Sequence, residues 1–305
     1  MKRIDMGISG LHASAIGIGC MRMADKNEKE IARLVDKALS LDIDLFDHAD
    51  IYGKGEAERL FGKVLSNTPS LREKMVIQSK CGIREGWYDL SKAYILQSVD
   101  KILSRLGTDY LDVLLLHRPD SLMEPEEIAE AFGLLQDSGK VHYFGVSNMN
   151  PVQIELLNTY VSQRIIINQL QFSAACTGMV DSGIHVNVPD VSGCSRDAGI
   201  LEYCRAKRIT IQTWSSLQYG FFAGTFLNSE KYPVLNALLS ELAQKYDCTE
   251  AAIAIAWILR HPAKLQSIIG STNPKRIEEI AAAGDITLER KEWYDIYKAA
   301  GNQLP

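Results

Sequence analysis

Eight short apolar segments, each followed by a stretch with helical periodicity, run through most of this 305-residue chain. Segments of this kind are typical of strands buried in a parallel sheet. The stretches between them place apolar side chains on one face of a helix, as in 29–41 with Ile31, Leu34 and Val35. The predicted strands are 15–19, 43–47, 75–80, 111–117, 141–146, 165–170, 209–214 and 265–269.

This alternation predicts an α/β fold, and its eight repeats favour a (β/α)8 TIM barrel. A doubly wound open sheet stays an alternative, because periodicity alone does not show closure. Residues 1–14, interrupted by Gly7 and Gly10, predict a short N-terminal β-hairpin, and 289–299 predicts an extra C-terminal helix. No linker rich in Pro, Gly or Ser divides the chain, so we expect a single domain over 1–305.

Composition and charge exclude several classes of function. The formal net charge is −5 and the sequence pI is near 5.8, which argues against electrostatic binding to nucleic acid or anionic lipid. No apolar run is long enough for a membrane span, and the first residues lack a signal-peptide pattern. The six cysteines fall singly, which predicts reduced thiols rather than a zinc site or disulfides. We therefore expect a cytoplasmic protein.

Two longer segments interrupt the strand–helix alternation. Residues 172–197 follow the predicted sixth strand, and residues 218–233 follow the seventh. Both contain several glycines, and 172–197 has few apolar positions in helical register. Because each follows the C-terminal end of a strand, each is expected at the mouth of the barrel where active sites lie. Long loops there shape substrate pockets or act as lids, although a covering or subunit-contact role is nearly as plausible.

Ionisable residues stand at the ends of three successive predicted strands. Asp47 ends the second, Lys80 the third and His117 the fourth, and Tyr52 follows Asp47 on a glycine-rich turn. Each residue alone has an ordinary explanation, such as a cap, a surface charge or a packing ring. Neighbouring parallel strands end at the same edge about 4.8 Å apart, so the four side chains can converge. The neighbouring His48 is expected to point away from Asp47.

Such a set has a definite chemistry. A buried lysine needs a counter-charge, which Asp47 can supply. The charge of Lys80 is expected to lower the pKa of the Tyr52 phenol, so that Tyr52 can donate a proton to a carbonyl oxygen. A neutral His117 could hydrogen-bond the same oxygen. The set contains no nucleophile and no metal site, so the electrons of a reduction must arrive on a cofactor.

Six separated motifs resemble those of the aldo-keto reductases, in particular the bacterial NADPH-dependent oxidoreductases of that superfamily. The motifs are Asp47-x4-Tyr52-Gly53, Ser79-Lys80, Leu116-His117, Gly145-Val146-Ser147-Asn148, Asn168-Gln169 and Gly270-Ser271-Thr272. The resemblance implies a (β/α)8 barrel that binds NADPH at its C-terminal mouth, with Tyr52 as proton donor beside Asp47, Lys80 and His117. The sequence contains no glycine-rich dinucleotide motif after a strand, in agreement with this.

The resemblance also implies a set of cofactor contacts. Ser147, Asn148 and Gln169 would hydrogen-bond the nicotinamide amide, and Trp214 would stack on its ring. Asp47 would contact the cofactor in addition to its place in the tetrad. The remaining implied contacts are Met21, Ser215, Leu217, Gly270, Ser271, Thr272, Asn273, Arg276 and Glu279.

By the same resemblance, Ser271, Asn273 and Arg276 would contact the adenosine 2′-phosphate, and Glu279 would contact the adenine. A helix predicted to begin near Pro274 offers free N–H groups to an anion, and Arg276 offers a bidentate phosphate partner. Two positions depart from the family pattern. Gly270 stands where some branches have a phosphate-binding lysine, and Ile280 where many have an asparagine. Arg276 still favours NADPH over NADH.

The sequence therefore predicts an NADPH-dependent carbonyl reductase or alcohol dehydrogenase that acts on a small-molecule aldehyde or ketone. A weakly catalytic, NADPH-sensing regulatory or binding protein on the same barrel is the alternative from another class. An aldolase that forms a Schiff base on Lys80 is a third, and the predicted cofactor contacts speak against it. Neither the substrate nor the oligomeric state follows from the sequence.

Overall fold

Eight parallel strands close into a barrel in the order β10-β3-β4-β5-β6-β7-β8-β9, preceded by an antiparallel hairpin of β1 and β2. The structure is a computed structural model that describes residues 1–188, 194 and 197–305. The strands, from β1 to β10, are Arg3–Asp5, His12–Ser14, Ile16–Gly19, Leu45–Asp47, Val76–Cys81, Leu111–Leu116, Val141–Ser147, Ile165–Gln171, Thr210–Trp214 and Gln266–Ile269.

Helices surround the barrel, and their boundaries follow local capping signals. Asn27 and Glu30 form a capping box at the start of α1, and Asn150 and Gln153 form another at the start of α5. No described helix has both the length and the apolar character to cross a membrane. From α1 to α11 the described helices are Glu28–Ser40, Glu56–Asn67, Lys92–Leu106, Pro125–Asp137, Pro151–Tyr160, Gly178–Ile184, Ile200–Lys207, Pro233–Lys245, Glu250–Leu259, Pro274–Ala281 and Arg290–Ala299.

The alternation of side chains along each strand decides which residues enter the barrel. In β5, Val76 belongs to the small core inside the barrel, while Ile77 packs with the helices outside it. Gln78 reaches across the interior to Gln212 of β9, and Lys80 also points inward. This period of two places polar side chains inside the C-terminal half of the barrel, while the N-terminal half is apolar.

The hairpin closes the N-terminal mouth. Met6 and Ala13 are fully buried against the inward apolar side chains of the strands, including Leu45, Val113 and Leu115. The backbone N–H of Gly7 donates to Thr210 Oγ1 at 2.8 Å. With this mouth covered, a ligand can reach the polar interior only from the C-terminal mouth.

The structure confirms the predicted closed barrel, the N-terminal hairpin and the extra C-terminal helix, α11. The prediction that 172–197 is irregular was wrong in part, because this segment contains α6. The sequence Gly178-Met179-Val180 gave a weak helical signal, and only Met179 and Val180 of this short helix are buried. Residues 189–193, 195 and 196 of the same segment lie outside the described residues. The single-domain assignment stays a prediction.

The turn after β4 depends on a close approach between two loops. Tyr52–Gly55 is a 3-10 turn in which Gly53, Lys54 and Gly55 all have positive φ. A Cβ atom on Gly53 would lie 2.3 Å from the Cβ of Ala24, which belongs to the 3-10 helix after β3. Glycine is therefore required at position 53 for two independent reasons, the left-handed backbone and the contact with Ala24.

We expect Gly53→Ala to destabilise the protein by more than about 1 kcal/mol and to displace Tyr52, because the new methyl group must push Ala24 away. Gly139→Ala is the matched control, since Gly139 also has positive φ but has open space around its Cβ position. Chemical denaturation should show the larger loss for Gly53→Ala. Equal losses in the two variants would show that the backbone conformation alone matters.

Candidate active site

Lys80 and Asp47 form a fully buried ion pair at the C-terminal end of the barrel interior. The Nζ atom of Lys80 lies 2.7 Å from Asp47 Oδ1 and 2.8 Å from Oδ2, and it also donates to the His48 carbonyl at 2.8 Å. Neither side chain is exposed by more than 3%. Burial alone would lower the pKa of Lys80, but Asp47 and Tyr52 outweigh it and raise that pKa. Lys80 therefore stays a cation.

Tyr52 extends this pair to the surface of a cavity. Its hydroxyl lies 3.2 Å from Lys80 Nζ, and the ring is partly buried. Burial raises the pKa of Tyr52 more than the charge of Lys80 lowers it. The expected lowering of the Tyr52 pKa was therefore wrong, because loss of water around the phenolate outweighs the nearby cation. The phenol is protonated at neutral pH.

His117 lies beside Tyr52 as a neutral ring. The ring centroids are 6.2 Å apart, with an interplanar angle of 85°. Burial, followed by the charges of Lys80 and Arg118, lowers the pKa of His117 well below 6.5. Its Nδ1 atom is buried without a hydrogen-bond partner, while the ring lines the cavity. A neutral imidazole can donate one hydrogen bond to a ligand.

A layer of glutamines supports Asp47 from inside the barrel, and only Gln169 among them was predicted from the sequence as a site residue. Gln78 and Gln169 donate to Asp47 Oδ1 at 2.5 and 3.2 Å. Both also donate to Gln212, which in turn donates to Gln266 at 2.8 Å. The signal was present: polar side chains in apolar strands are costly to bury unless each finds a partner.

His48 and Asp50 lie outside the cavity, as predicted. His48 is fully buried against Phe61, with ring centroids 4.6 Å apart, and both ring nitrogens lack partners. Burial lowers the pKa of His48 to about 3. Asp50 accepts a hydrogen bond from Tyr94 at 3.1 Å, and burial raises the pKa of Asp50 to about 6. The other oxygen of Asp50 has no partner.

A cavity of about 760 Å³ opens at the C-terminal mouth and extends from the tetrad to the start of α10. This volume is in the range of small-molecule and cofactor sites. Most of the residues predicted to bind a cofactor line it. They are Met21, Asp47, Gln169, Trp214, Ser215, Leu217, Gly270, Ser271, Thr272, Asn273, Arg276 and Glu279, together with Tyr52 and His117.

Three predicted site residues do not line the cavity. Lys80 is fully buried beneath Tyr52. Ser147 is buried and donates to the Gln169 carbonyl at 3.0 Å. The amide of Asn148 donates to Ser147 Oγ and accepts from the indole N–H of Trp214 at 3.2 Å. The structure therefore brings Ser147 and Asn148 next to Gln169 and Trp214, but behind the cavity wall.

The end of the cavity farthest from the tetrad is suited to an anion. Asn273 caps α10 and accepts from the N–H groups of Lys275 and Arg276. Arg276 lines the cavity at this end. Arg22, from the segment after β3, reaches over with Nη1 3.4 Å from the Gly270 carbonyl. The expectation of free N–H groups at the start of α10 was wrong, because Pro274 has none and those of Lys275 and Arg276 already donate to Asn273 Oδ1. The guanidinium groups of Arg22 and Arg276 remain as the groups at this end of the cavity that fit a phosphate.

The loop 218–233 lines the cavity as expected, whereas 172–188 does not. Gln218, Phe222 and Thr225 contribute to the wall. Residues of α6 instead line a second cavity of about 540 Å³ with the C-terminal segment at Asn302. The sequence analysis also missed Arg118 in the main cavity, although its position directly after His117 was a signal.

Comparison with known proteins decides the family. A profile of the Aldo/keto reductase family matches residues 15–300. The chain belongs to the aldo-keto reductase family. Among similar proteins, this aldo-keto reductase is 35% identical to the uncharacterized oxidoreductase YcsN of Bacillus subtilis, with 100% of both chains covered. It is 34% identical to a 6-dehydroglucose reductase of Agrobacterium fabrum, with 98% of each covered. It is 32% identical to the oxidoreductase YdhF of Escherichia coli, again over 100% of both.

A solved structure agrees with this assignment. The thermostable aldo-keto reductase Tm1743, crystallised with the inhibitor epalrestat, has a TM-score of 0.79 and 25% identity, and the match covers 98% of this chain and 100% of the other. The protein is thus an oxidoreductase of a family that generally uses a nicotinamide cofactor. The cavity fits such a cofactor, because its volume is in the range of cofactor sites and the guanidinium groups of Arg22 and Arg276 line one end while Tyr52 and Gln169 line the other.

The raised pKa of Asp50 generates a pH-dependent stability. Above pH 6 the Asp50 carboxylate is charged in both states, and its burial in the folded state lowers the stability of the protein. Below about pH 4 Asp50 is protonated in both states, and this destabilisation disappears. We expect Asp50→Asn, which can still accept from Tyr94, to be more stable than the wild type at pH 8 and equally stable at pH 4. Thermal unfolding at several pH values measures this difference, with the exposed Asp36→Asn on α1 as control. A difference independent of pH would contradict the assignment.

Proposed function

We propose that this aldo-keto reductase uses NADPH to reduce the carbonyl group of a small aldehyde or ketone, with Tyr52 as the proton donor. The observation that carries the proposal is the Tyr52 hydroxyl, which lies on the cavity wall 3.2 Å from the buried ammonium of Lys80. The neutral ring of His117 stands beside it. A protonated phenol, a fixed positive charge and a neutral hydrogen-bond donor form an acid site for a carbonyl oxygen.

Each side chain has a defined part in the proposed reaction. The nicotinamide cofactor, when bound, supplies the hydride that reduces the carbonyl carbon. Tyr52 donates its hydroxyl proton to the carbonyl oxygen, and the adjacent ammonium of Lys80 stabilises the phenolate that remains. His117 donates a hydrogen bond to the same oxygen and so orients the substrate. Asp47 keeps Lys80 charged and in place.

The proposed cofactor contacts divide between the two ends of the cavity. Gln169 and Trp214 line the end near Tyr52 and would hold the nicotinamide. Ser147 and Asn148, which are hydrogen-bonded to Gln169 and Trp214, would keep these two residues in position. Arg276 lies at the other end, at the start of α10, and its guanidinium would hold the 2′-phosphate, with Arg22 as a second cation. The cytoplasmic location and the lack of nucleic-acid and membrane partners stay predictions from sequence.

We expect Tyr52→Phe to lower kcat by about 10²–10⁴-fold, because the variant lacks the proton donor, while the Kd for NADPH stays the same. The measurement is the decrease of NADPH absorbance with a panel of aldehydes and ketones, together with fluorescence titration of NADPH. Tyr143→Phe is the control, since its hydroxyl donates to the Ser9 carbonyl at the closed mouth of the barrel.

Full activity of Tyr52→Phe would refute Tyr52 as the acid. A wild-type protein that binds NADPH tightly but turns over no carbonyl compound would instead favour the NADPH-sensing alternative.

The choice of NADPH over NADH is tested at α10. We expect Arg276→Ala to raise the Kd for NADPH by about 10–100-fold and to leave the Kd for NADH nearly unchanged, because only NADPH carries the 2′-phosphate. Lys275→Ala is the neighbouring control, since Lys275 is 84% exposed and does not line the cavity. Fluorescence titration with each nucleotide gives its Kd for the wild type and for both variants. An equal loss for both nucleotides would place Arg276 elsewhere on the cofactor.

A further inference from the structure

Arg118 is a cation in the wall of the cavity, next to the tetrad. It follows His117 directly, and its side chain is partly buried. One guanidinium nitrogen, Nη1, donates to the His117 carbonyl at 2.8 Å. The guanidinium carbon lies 5.8 Å from the ring centroid of Trp214, over the face of the indole. These two contacts fix the arginine beside the place where the substrate carbonyl must lie.

No carboxylate among the described residues forms an ion pair with Arg118. Within the described part of the chain Arg118 takes part in no ion pair, although most other partly buried arginines do, such as Arg72 with Asp112 and Arg105 with Glu58. The only carboxylate of the tetrad, Asp47, is bound to Lys80. The side chain is half-buried, so the guanidinium has lost part of its water, and this burial lowers the pKa of Arg118.

A partly desolvated guanidinium without an anion is unfavourable unless a ligand supplies the anion. Arg118 uses one of its five N–H donors in the hydrogen bond above, so further donors can serve a carboxylate or phosphate in bidentate geometry. The Arg276 pocket at the far end of the cavity is a different site and is already assigned to the cofactor. A second anion site near Tyr52 therefore belongs to the substrate.

The wall next to Arg118 is aromatic. Trp214 contacts Phe222, with ring centroids 6.2 Å apart, and Phe222 also lines the cavity. Such a wall suits a short carbon chain but offers few hydrogen bonds to sugar hydroxyls. The neighbourhood thus combines one charged group with apolar surface.

We propose that Arg118 binds an anionic group of the substrate, so that short aldehydes and ketones carrying a carboxylate or phosphate are the preferred class. This inference rests on the proposed carbonyl reduction. Arg118 selects the substrate and positions it, while Tyr52 delivers the proton.

Two matched substrate pairs test the inference on the NADPH-loaded protein. One pair is 4-oxobutanoate and butanal, and the other is glyceraldehyde 3-phosphate and glyceraldehyde. We expect the wild type to prefer at least one charged member in kcat/KM. Arg118→Leu should lower kcat/KM for that member by about 10–100-fold, mainly through KM, and leave the neutral member within about twofold. Arg118→Lys should restore part of the preference, because it keeps the charge without the bidentate geometry.

A control separates charge selection from a structural effect. Arg84→Leu removes an arginine that pairs with Asp89 at 3.1 Å and does not line the cavity, and it should leave the preference of the wild type unchanged. If Arg118→Leu lowers kcat/KM equally for the charged and the neutral substrates, the inference is overturned. Arg118 would then only hold Trp214 in position. A wild type that prefers neither charged member over its neutral partner would also overturn it.

A binding measurement gives an independent readout. Butanoate should quench the tryptophan fluorescence of the wild type at concentrations where 1-butanol does not, and Arg118→Leu should lose this response. If no carbonyl compound is reduced but butanoate still binds through Arg118, the proposed function fails while the anion site stands. If neutral aldehydes are reduced and butanoate does not bind, the anion site fails while the proposed function stands.

Discussion

The ion pair between Lys80 and Asp47 is the interaction on which the rest of the site depends. Two charges inside a barrel are unfavourable unless their geometry is close and their remaining hydrogen-bonding groups are satisfied. Here the pair is supported by the His48 carbonyl, by Gln78 and by Gln169. These partners occupy much of the polar interior and leave one direction open, towards the Tyr52 hydroxyl. The same set of contacts therefore stabilises the buried charge of Lys80 and orients the Tyr52 hydroxyl at the cavity wall.

Burial acts on each nearby group in the direction that keeps it neutral. It raises the pKa of Tyr52 and lowers the pKa of His117, although both lie near the ammonium of Lys80. A phenolate has no proton to donate to a carbonyl oxygen, whereas a protonated phenol and a neutral imidazole can both donate to it. The charge needed to stabilise a phenolate is held one layer deeper, on Lys80, where its counter-ion fixes it.

The two ends of the barrel differ in character: the N-terminal end is apolar and closed, and the C-terminal end is polar and open to the cavity. The hairpin and an apolar cluster close the N-terminal mouth, while polar side chains occupy the interior towards the C-terminal mouth. The cavity there has cationic groups at both ends, Arg118 beside the tetrad and Arg276 at α10. The loop 218–233 forms part of its wall, so the shape of the site depends on a segment that the barrel itself does not determine.

The sequence alone determined the strand–helix order, the hairpin, the tetrad positions and the family, because these depend on local periodicity and on motifs within a few residues. The sequence placed Lys80 and His117 at the ends of neighbouring strands, where their side chains can converge. Only the tertiary structure decided that Gln78 and Gln212 meet across the barrel and that Ser147 and Asn148 do not line the cavity. It also showed that Arg118 forms no ion pair with any described residue. The sign of the Tyr52 pKa shift also needed the structure. Desolvation and charge oppose each other there, and their balance depends on how much of the surrounding protein excludes water, a quantity set by residues distant in sequence.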